Sequence, residues 1–301
     1  MKDIPVPTLG FSPATFLPMP LANFFTKMMP RRSPQPETQP PAPQAKNGIP
    51  HIAAPASSNT QAQLKVYWAK HLDEVREAQR LRYAIFSDEM GAKLSNVLPG
   101  HDVDRFDDYC EHLLVRDEAT GLVVGTYRLL TPVQASRAGG LYTETEFNID
   151  ALSSLKHNMV ELGRSCVHAD YRSGAVIMAL WGALAQFMHR NHLSSMVGCA
   201  SIPMRHQGRM SGDAAASVWA QVSQTHLADP AWHVHAHTPL PLAQFNGSLD
   251  VEPPALIKGY LRLGARVLGA PAWDPDFNTA DLPMLLRVDE MPARYKKHFL
   301  G

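Results

Sequence analysis

An α/β fold on a mixed, mostly antiparallel sheet flanked by helices is what this sequence predicts, and three observations carry that expectation. Residues 111–116 and 122–130 are β-rich runs on either side of the turn Glu118-Ala-Thr-Gly121, the pattern of an antiparallel hairpin. Residues 158–167, 175–192 and 194–200 follow as strand, long apolar helix and strand, a unit that calls for parallel pairing. Joining the first two of these is Glu161-Leu-Gly-Arg-Ser-Cys-Val-His-Ala-Asp-Tyr-Arg-Ser-Gly-Ala-Val176, where a strand ends in a polar elbow and a glycine-bearing turn opens the helix.

The other elements follow in order. Residues 64–69 read as a strand. Residues 72–90 read as one helix with Val75, Ala78, Leu81, Ile85 and Phe86 on its buried side. After the strand–helix–strand unit come a helix over 214–225, a strand over 232–237, a helix over 254–263 and strands near Ala265 and Leu285. The body is therefore placed at 63–301, with no internal repeat. Residues 1–62 are a different regime. Residues 30–55 are dense in proline with Ser, Gln, Thr and Ala, and such a segment buries too little apolar surface to offset its ordering entropy, so a disordered arm is expected. Within it, Phe16, Leu17, Leu21, Phe24, Phe25 and Met28, ahead of Arg31 and Arg32, suit either a loose tail or a short amphipathic helix on a membrane or partner.

Composition narrows the function classes. Lys+Arg and Asp+Glu both number 28, and a net charge of zero argues against a dedicated nucleic-acid binder. The three cysteines, Cys110, Cys166 and Cys199, lack metal-ligand spacing and fit a reduced, cytoplasmic compartment. The longest apolar run, 175–188, carries Gly182 and Gln186 and is too short to span a membrane. Pro13, Pro18 and Pro20 interrupt any signal-peptide core.

Three groups of residues can carry chemistry. The run 161–176 brings a carboxylate (Glu161) and a guanidinium (Arg164) to a strand end. The helix start that follows offers unpaired N–H groups and the positive end of a dipole to a phosphate. Leu81-Arg-Tyr-Ala-Ile-Phe86 places Arg82 on the first helix, and the acid-rich His101-Asp-Val-Asp-Arg-Phe-Asp-Asp108 precedes the hairpin that bears Arg128. Each group has two readings. Glu161 is either a structural partner of Arg164 or a base whose pKa burial would raise. Asp102, Asp104, Asp107 and Asp108 form either a solvated loop or a site for a substrate with two amines. Arg82 and Arg128 either pair with those aspartates or grip an acceptor carboxylate bidentately. His233, His235 and His237 would share one face of a strand. At ~7 Å between alternate residues they are too spread for one metal ion, so a polar face or carrier-protein contact is preferred and no metal is expected.

These three groups, in this order, resemble the GNAT superfamily of acyltransferases. The resemblance is to the branch of ornithine N-acyltransferases, which includes chains labelled haemolysin-like, and more remotely to acyl-homoserine-lactone synthases. It covers about 66–203. Arg82, Asp104, Asp107, Arg128, Glu161 and Arg164 stand in the order both branches use, and the run from Glu161 through Arg172 to Gly174 looks closer to the ornithine branch. The step Gly163-Arg164-Ser165 departs from the Ser-Arg-Phe of lactone synthases. Arg172-Ser-Gly-Ala175 is shorter than the usual GNAT pyrophosphate loop, a departure that fits an acyl-carrier-protein donor better than coenzyme A.

The resemblance implies lipid biosynthesis in a bacterial cytoplasm, with peripheral membrane contact. A 3-hydroxyacyl chain would pass from acyl carrier protein to the α-amine of L-ornithine, without a resident cofactor. Glu161 and Arg164 would serve catalysis; Arg82, Asp102, Asp104, Asp107 and Arg128 would meet the acceptor. Val167, His168, Arg172, Ser173, Gly174 and Ala175 would hold the acyl donor. The rivals are a signal synthase that makes a lactone and a non-catalytic membrane-binding protein. Basic residues Lys258, Arg262, Arg266, Arg294, Lys296 and Lys297 suit an acidic carrier protein. Because the arm holds little that a core can bury, a chain beginning at Gln61 is expected to melt within a few degrees of the full chain; loss of soluble expression would place the arm in the core.

Overall fold

Along the computed structural model, which describes residues 63–95 and 97–299, the chain runs through β1 (Leu64–Trp68), α1 (Leu72–Tyr83), β2 (Glu111–Asp117), β3 (Val123–Leu130), α2 (Pro132–Ala138), α3 (Thr143–Glu146) and β4 (Phe147–Asn148). It continues through β5 (Met159–Val167), α4 (Ala175–Arg190), β6 (Ser195–Pro203), β7 (Arg205–His206), β8 (Arg209–Met210) and α5 (Asp213–Thr225). The last elements are β9 (His235–Ala236), α6 (Ala255–Arg262), β10 (Arg266–Val267), β11 (Ala272–Asp274), β12 (Thr279–Arg287) and α7 (Ala293–Phe299). The main sheet has the order β1-β2-β3-β5-β6-β12-β10, with β11 paired to β12. All its pairings are antiparallel except β5 with β6, which α4 connects. This is the mixed GNAT-like sheet that the sequence predicts.

Each face of the sheet has its own core. On one, Leu113, Val115, Tyr127 and Val160 pack under Val176, Leu180, Leu184 and Met188 of α4. On the other, Leu130, Met159, Val197 and Leu285 pack against Phe106, Leu141, Phe147 and Leu152.

The two central strands do not stay together. β5 and β6 pair only at Met159↔Ser195, Val160↔Met196 and Glu161↔Val197. Beyond that, β5 remains with β3 while β6 pairs with β12 along its whole length, so a wedge opens between them. Gly198 stands where they part: a Cβ there would lie 2.3 Å from the Leu162 carbonyl oxygen, a distance no side chain tolerates. A second irregularity lies on the other edge of β5. Thr126 faces Cys166 and Arg128 faces Gly163, so Tyr127 alone opposes both Arg164 and Ser165. Arg164 adopts a left-handed φ of 49°, and this bulge re-aims its side chain.

Several sequence expectations are corrected. The helix expected over 72–90 is α-helical only to Tyr83; Ala84–Glu89 form a π-helical segment whose wider turn lets consecutive Ile85 and Phe86 both enter a cluster with Ala92 and Cys166. The strand expected over 232–237 shrinks to His235–Ala236, because Pro230 opens a 3-10 turn capped by Asp229. The three histidines therefore do not line one strand: His233 Nε2 lies 3.0 Å from the Ala228 carbonyl and His237 Nε2 3.1 Å from that of Glu144. The arm of residues 1–62, with its candidate amphipathic segment, lies outside the described residues. Among the described residues no helix is long and apolar enough to cross a membrane.

Candidate active site

Arg82, Arg128 and Arg164 alternate with Asp102, Asp104 and Asp107 in a closed ring of ion pairs. Arg82 donates to Asp102 (2.7 Å) and to both oxygens of Asp107 (2.9 Å each). Arg128 bridges Asp107 (3.0 Å) and Asp104 (2.6 Å), and Arg164 bridges Asp104 (3.0 Å) and Asp102 (3.1 Å). Asp107 is the hub. It also accepts from Gln79 Nε2 (3.0 Å) and from the Asp104 N–H (3.2 Å). Burial alone would raise the pKa of Asp107, but Arg82 and Arg128 outweigh it and hold the carboxyl far below its usual range. Asp104 is lowered for the same reason by Arg128 and Arg164. The residues expected to meet the acceptor thus meet one another and Arg164, while Asp108 is exposed.

Glu161 and Arg164 are not partners. Glu161 Oε1 accepts from the N–H (2.6 Å) and hydroxyl (2.5 Å) of Thr143, and Oε2 accepts from the Tyr142 N–H (2.6 Å). The carboxylate therefore ties the start of α3 to β5. Burial pushes its pKa up, against the pull of those donors. Of roughly four acceptor positions on a carboxylate three are filled, and Oε2 keeps one. Arg164 instead lies over the rings of Phe277 (4.7 Å) and Tyr142 (5.0 Å).

At the far end of β5, His168 donates its N–H to Val124 (2.8 Å), so the antiparallel alternation turns the Val167 N–H away from β3, toward the wedge. The His168 ring caps the following turn through Nδ1 (3.3 Å from the Asp170 N–H). Arg172 forms a bidentate pair with Glu89 (2.6 and 2.7 Å) and donates to the Val167 carbonyl (3.0 Å). Ser173 precedes Gly174, whose φ of 103° opens α4 at Ala175 without a side-chain cap, leaving first-turn N–H groups available.

Two further features lie on opposite sides of the wedge. A partly open apolar cavity lies against α4, α6 and α7, lined by Leu162, Trp181, Met188, Met196, Leu286 and others. Its lining hydroxyls, Tyr127 and Tyr260, face each other. On the other face, carboxylate oxygens of Glu146, Asp274 and Asp281 lie within 4.8 Å of one another. Cys199 lines the cavity and contacts the Thr143 hydroxyl at 3.8 Å. Sequence reasoning missed Gln79, Thr143, Glu146, Cys199 and Asp281. Only Asp281 had a signal, a lone acid in the apolar run 279–286.

Residues 81–182 match the family described as an acetyltransferase (GNAT) domain. The chain is 32% identical over 254 residues to an L-ornithine N(alpha)-acyltransferase of Brucella abortus, covering 78% of this chain and 88% of that one. It is also 32% identical over 273 residues to the protein of the same name from Rhizobium meliloti, covering 82% and 88%. Among solved structures, the AHL synthase LasI aligns over 80% of this chain and 96% of its own, with a TM-score of 0.47 and 13% identity.

Two outcomes follow from the ring. Asp107→Asn leaves two buried guanidiniums short of charge and should lower unfolding free energy by roughly 3–5 kcal/mol in urea, with an unchanged m-value. Because the folded pKa values of Asp104 and Asp107 lie below their unfolded value of about 3.9, their stabilisation is complete above that pH and is lost as the pH falls below it. Stability measured from pH 6 down to pH 2 should fall steeply in the wild type and more gently in Asp107→Asn.

Proposed function

The chain belongs to the L-ornithine Nα-acyltransferase family, and from that premise we propose that it moves a 3-hydroxyacyl chain from acyl carrier protein to the α-amine of L-ornithine, giving a lyso-ornithine lipid. The observation that supports this reading best is the wedge between β5 and β6. It joins an apolar cavity, lined by side chains such as Leu162, Trp181, Met196 and Leu286 that suit an acyl chain, to a carboxylate-lined face suited to a cationic amino acid.

In this reading the pantetheine arm of the donor enters between β5 and β6, where their edges are free of each other. Its phosphate meets the turn Arg172-Ser-Gly-Ala175; Arg172 would then be shared with Glu89. The acyl chain fills the cavity, and the thioester carbonyl lies near the point where the strands part. Glu161, or a water held on its open Oε2 position, takes a proton from the α-ammonium of the acceptor. The free amine attacks the carbonyl, the C–N bond forms, the C–S bond breaks, and the thiolate leaves to be protonated as a thiol. The outward N–H of Val167 lies five residues beyond Leu162 along β5, about 16 Å past the point where the strands part, so in this reading it meets the pantetheine arm and not the carbonyl oxygen. No resident cofactor takes part. The reading also places the enzyme in the cytoplasm, at the inner face of the membrane that receives its product.

Lipid extracts of cells overexpressing the chain should contain a new ninhydrin-positive lyso-lipid. A lactone in the medium would instead mark a signal synthase. Glu161→Gln should lower turnover by roughly the 10²–10⁴-fold that general base catalysis supplies, with the donor KM near wild type and the acidic limb of the rate profile lost. A fully active variant would remove Glu161 from the proton transfer.

A further inference from the structure

Glu146, Asp274 and Asp281 come from α3, β11 and β12, and among the described residues no lysine or arginine forms an ion pair with them. Asp281 is only 4% exposed and leaves Oδ1 without a hydrogen-bond donor, and both carboxylate oxygens of Glu146 are buried and equally unpartnered. The groups that face the cluster are Tyr142 ahead of α3, Cys199 and Ser201 on β6, Thr279 on β12 and Arg164 on β5. Tyr142 and Cys199 are near enough to Glu146 to lower its pKa without reaching bonding geometry. Arg164, the neighbouring guanidinium, is already bound to Asp102 and Asp104. Burial pushes both carboxyls above their usual range, and repulsion adds to it, from Asp281 and Asp274 at Glu146 and from Asp274 at Asp281. Buried acids left unpaired are costly, and a site that keeps them is built for a cation that arrives.

We infer that this cluster receives the distal ammonium of a diamino-acid acceptor. The inference rests on the acyltransferase reading above and adds the residues that select its acceptor. An alkylammonium has three N–H donors and no acceptor, which matches three carboxylates offering one oxygen each. The location fits as well. Cys199 is influenced by Glu146, Asp281 and Glu161 together, so the cluster and the proposed base flank one residue at the wedge. An acceptor carrying two amines spans that residue: its α-amine turns to Glu161, its distal ammonium to Glu146, Asp274 and Asp281. Specificity for a diamino acid then comes from leaving these acids unpaired whenever the side-chain ammonium is missing.

The test compares ornithine with norvaline, which keeps the α-amine, the carboxylate and the carbon chain but lacks the distal amine. For the full-length wild type, kcat/KM should favour ornithine by at least ~10²-fold. Ornithine, and not norvaline, should raise its melting temperature. In Glu146→Gln/Asp281→Asn the preference should fall below ~10-fold through a raised KM for ornithine, with the acyl-donor KM and the norvaline rate retained. Without acceptor this variant should melt above the wild type, and the gap should widen as the pH rises past the ordinary carboxylate range, since only the wild type must ionise buried acids. A variant that keeps the ornithine preference and the thermal shift overturns the site while leaving the acyltransferase reading intact. Thermal shift by ornithine, lost in the variant but without acylation in the wild type, overturns the reaction and leaves the site standing. Calorimetric binding of Mg²⁺, Ca²⁺, Mn²⁺ or Zn²⁺ that the variant loses, with wild-type activity abolished by EDTA, would make the cluster a metal site and overturn the inference.

Discussion

Three arginines buried beside one another are untenable unless each is matched, and the closed ring with Asp102, Asp104 and Asp107 is how this fold matches them. The ring sums to zero charge, and its members come from α1, the loop before β2, β3 and β5. Arg82 is fully buried and Arg128 is 4% exposed, so no water replaces a missing partner. Such a network contributes less to net stability than its contacts suggest, because desolvating six charges offsets most of their attraction. Its effect is on position. It clamps the acidic loop onto α1 and holds the bulged part of β5 at one setting, with Arg164 turned across Tyr142 and Phe277.

That setting governs the wedge. The bulge at Arg164 and the glycine at 198 act on opposite edges of the same region, one re-aiming β5 and the other letting β6 press against Leu162 before the strands separate. Glu161 is the last residue of β5 to pair with β6, and its carboxylate reaches back to the start of α3. The same short helix carries Glu146 at its end. The residues that bound the acidic side are thus anchored through Glu161, while the apolar cavity is lined from α4, α6, α7, Leu162 of β5 and the adjoining parts of β6 and β12. In the proposed reaction, acyl chain and amine approach from different faces and meet where the sheet is open.

Much of this was legible in the sequence because charges interrupt apolar patterns. Arg82 inside an amphipathic helix, Arg128 inside an apolar strand and Glu161 in Met159-Val-Glu-Leu162 each stand out against neighbours that belong in a core. Their order pointed to the GNAT family before any contact was known. Pairing was not legible. Glu161 and Arg164 are three positions apart, and a regular strand gives no reason to expect a bulge that sends Arg164 to the aspartates and leaves Glu161 to Thr143. The acidic cluster was hidden more deeply: Glu146, Asp274 and Asp281 become neighbours only through long-range sheet pairing, and Glu146 reads locally as one acid in a polar turn. The three histidines misled because alternation suggested a strand, while Pro230 and Asp229 set a turn.

Whether the ring acts as one unit is open to a double-mutant cycle between Arg82 and Asp104, two members that share no hydrogen bond and are joined only through Asp102, Asp107, Arg128 and Arg164. Unfolding free energies would be measured for Arg82→Gln, Asp104→Asn and the double variant. A closed ring gives a coupling of about 1 kcal/mol or more, because the first substitution already loosens what the second removes. Additivity within ~0.5 kcal/mol would mean separate ion pairs, and would contradict the ring as the constraint that positions β5.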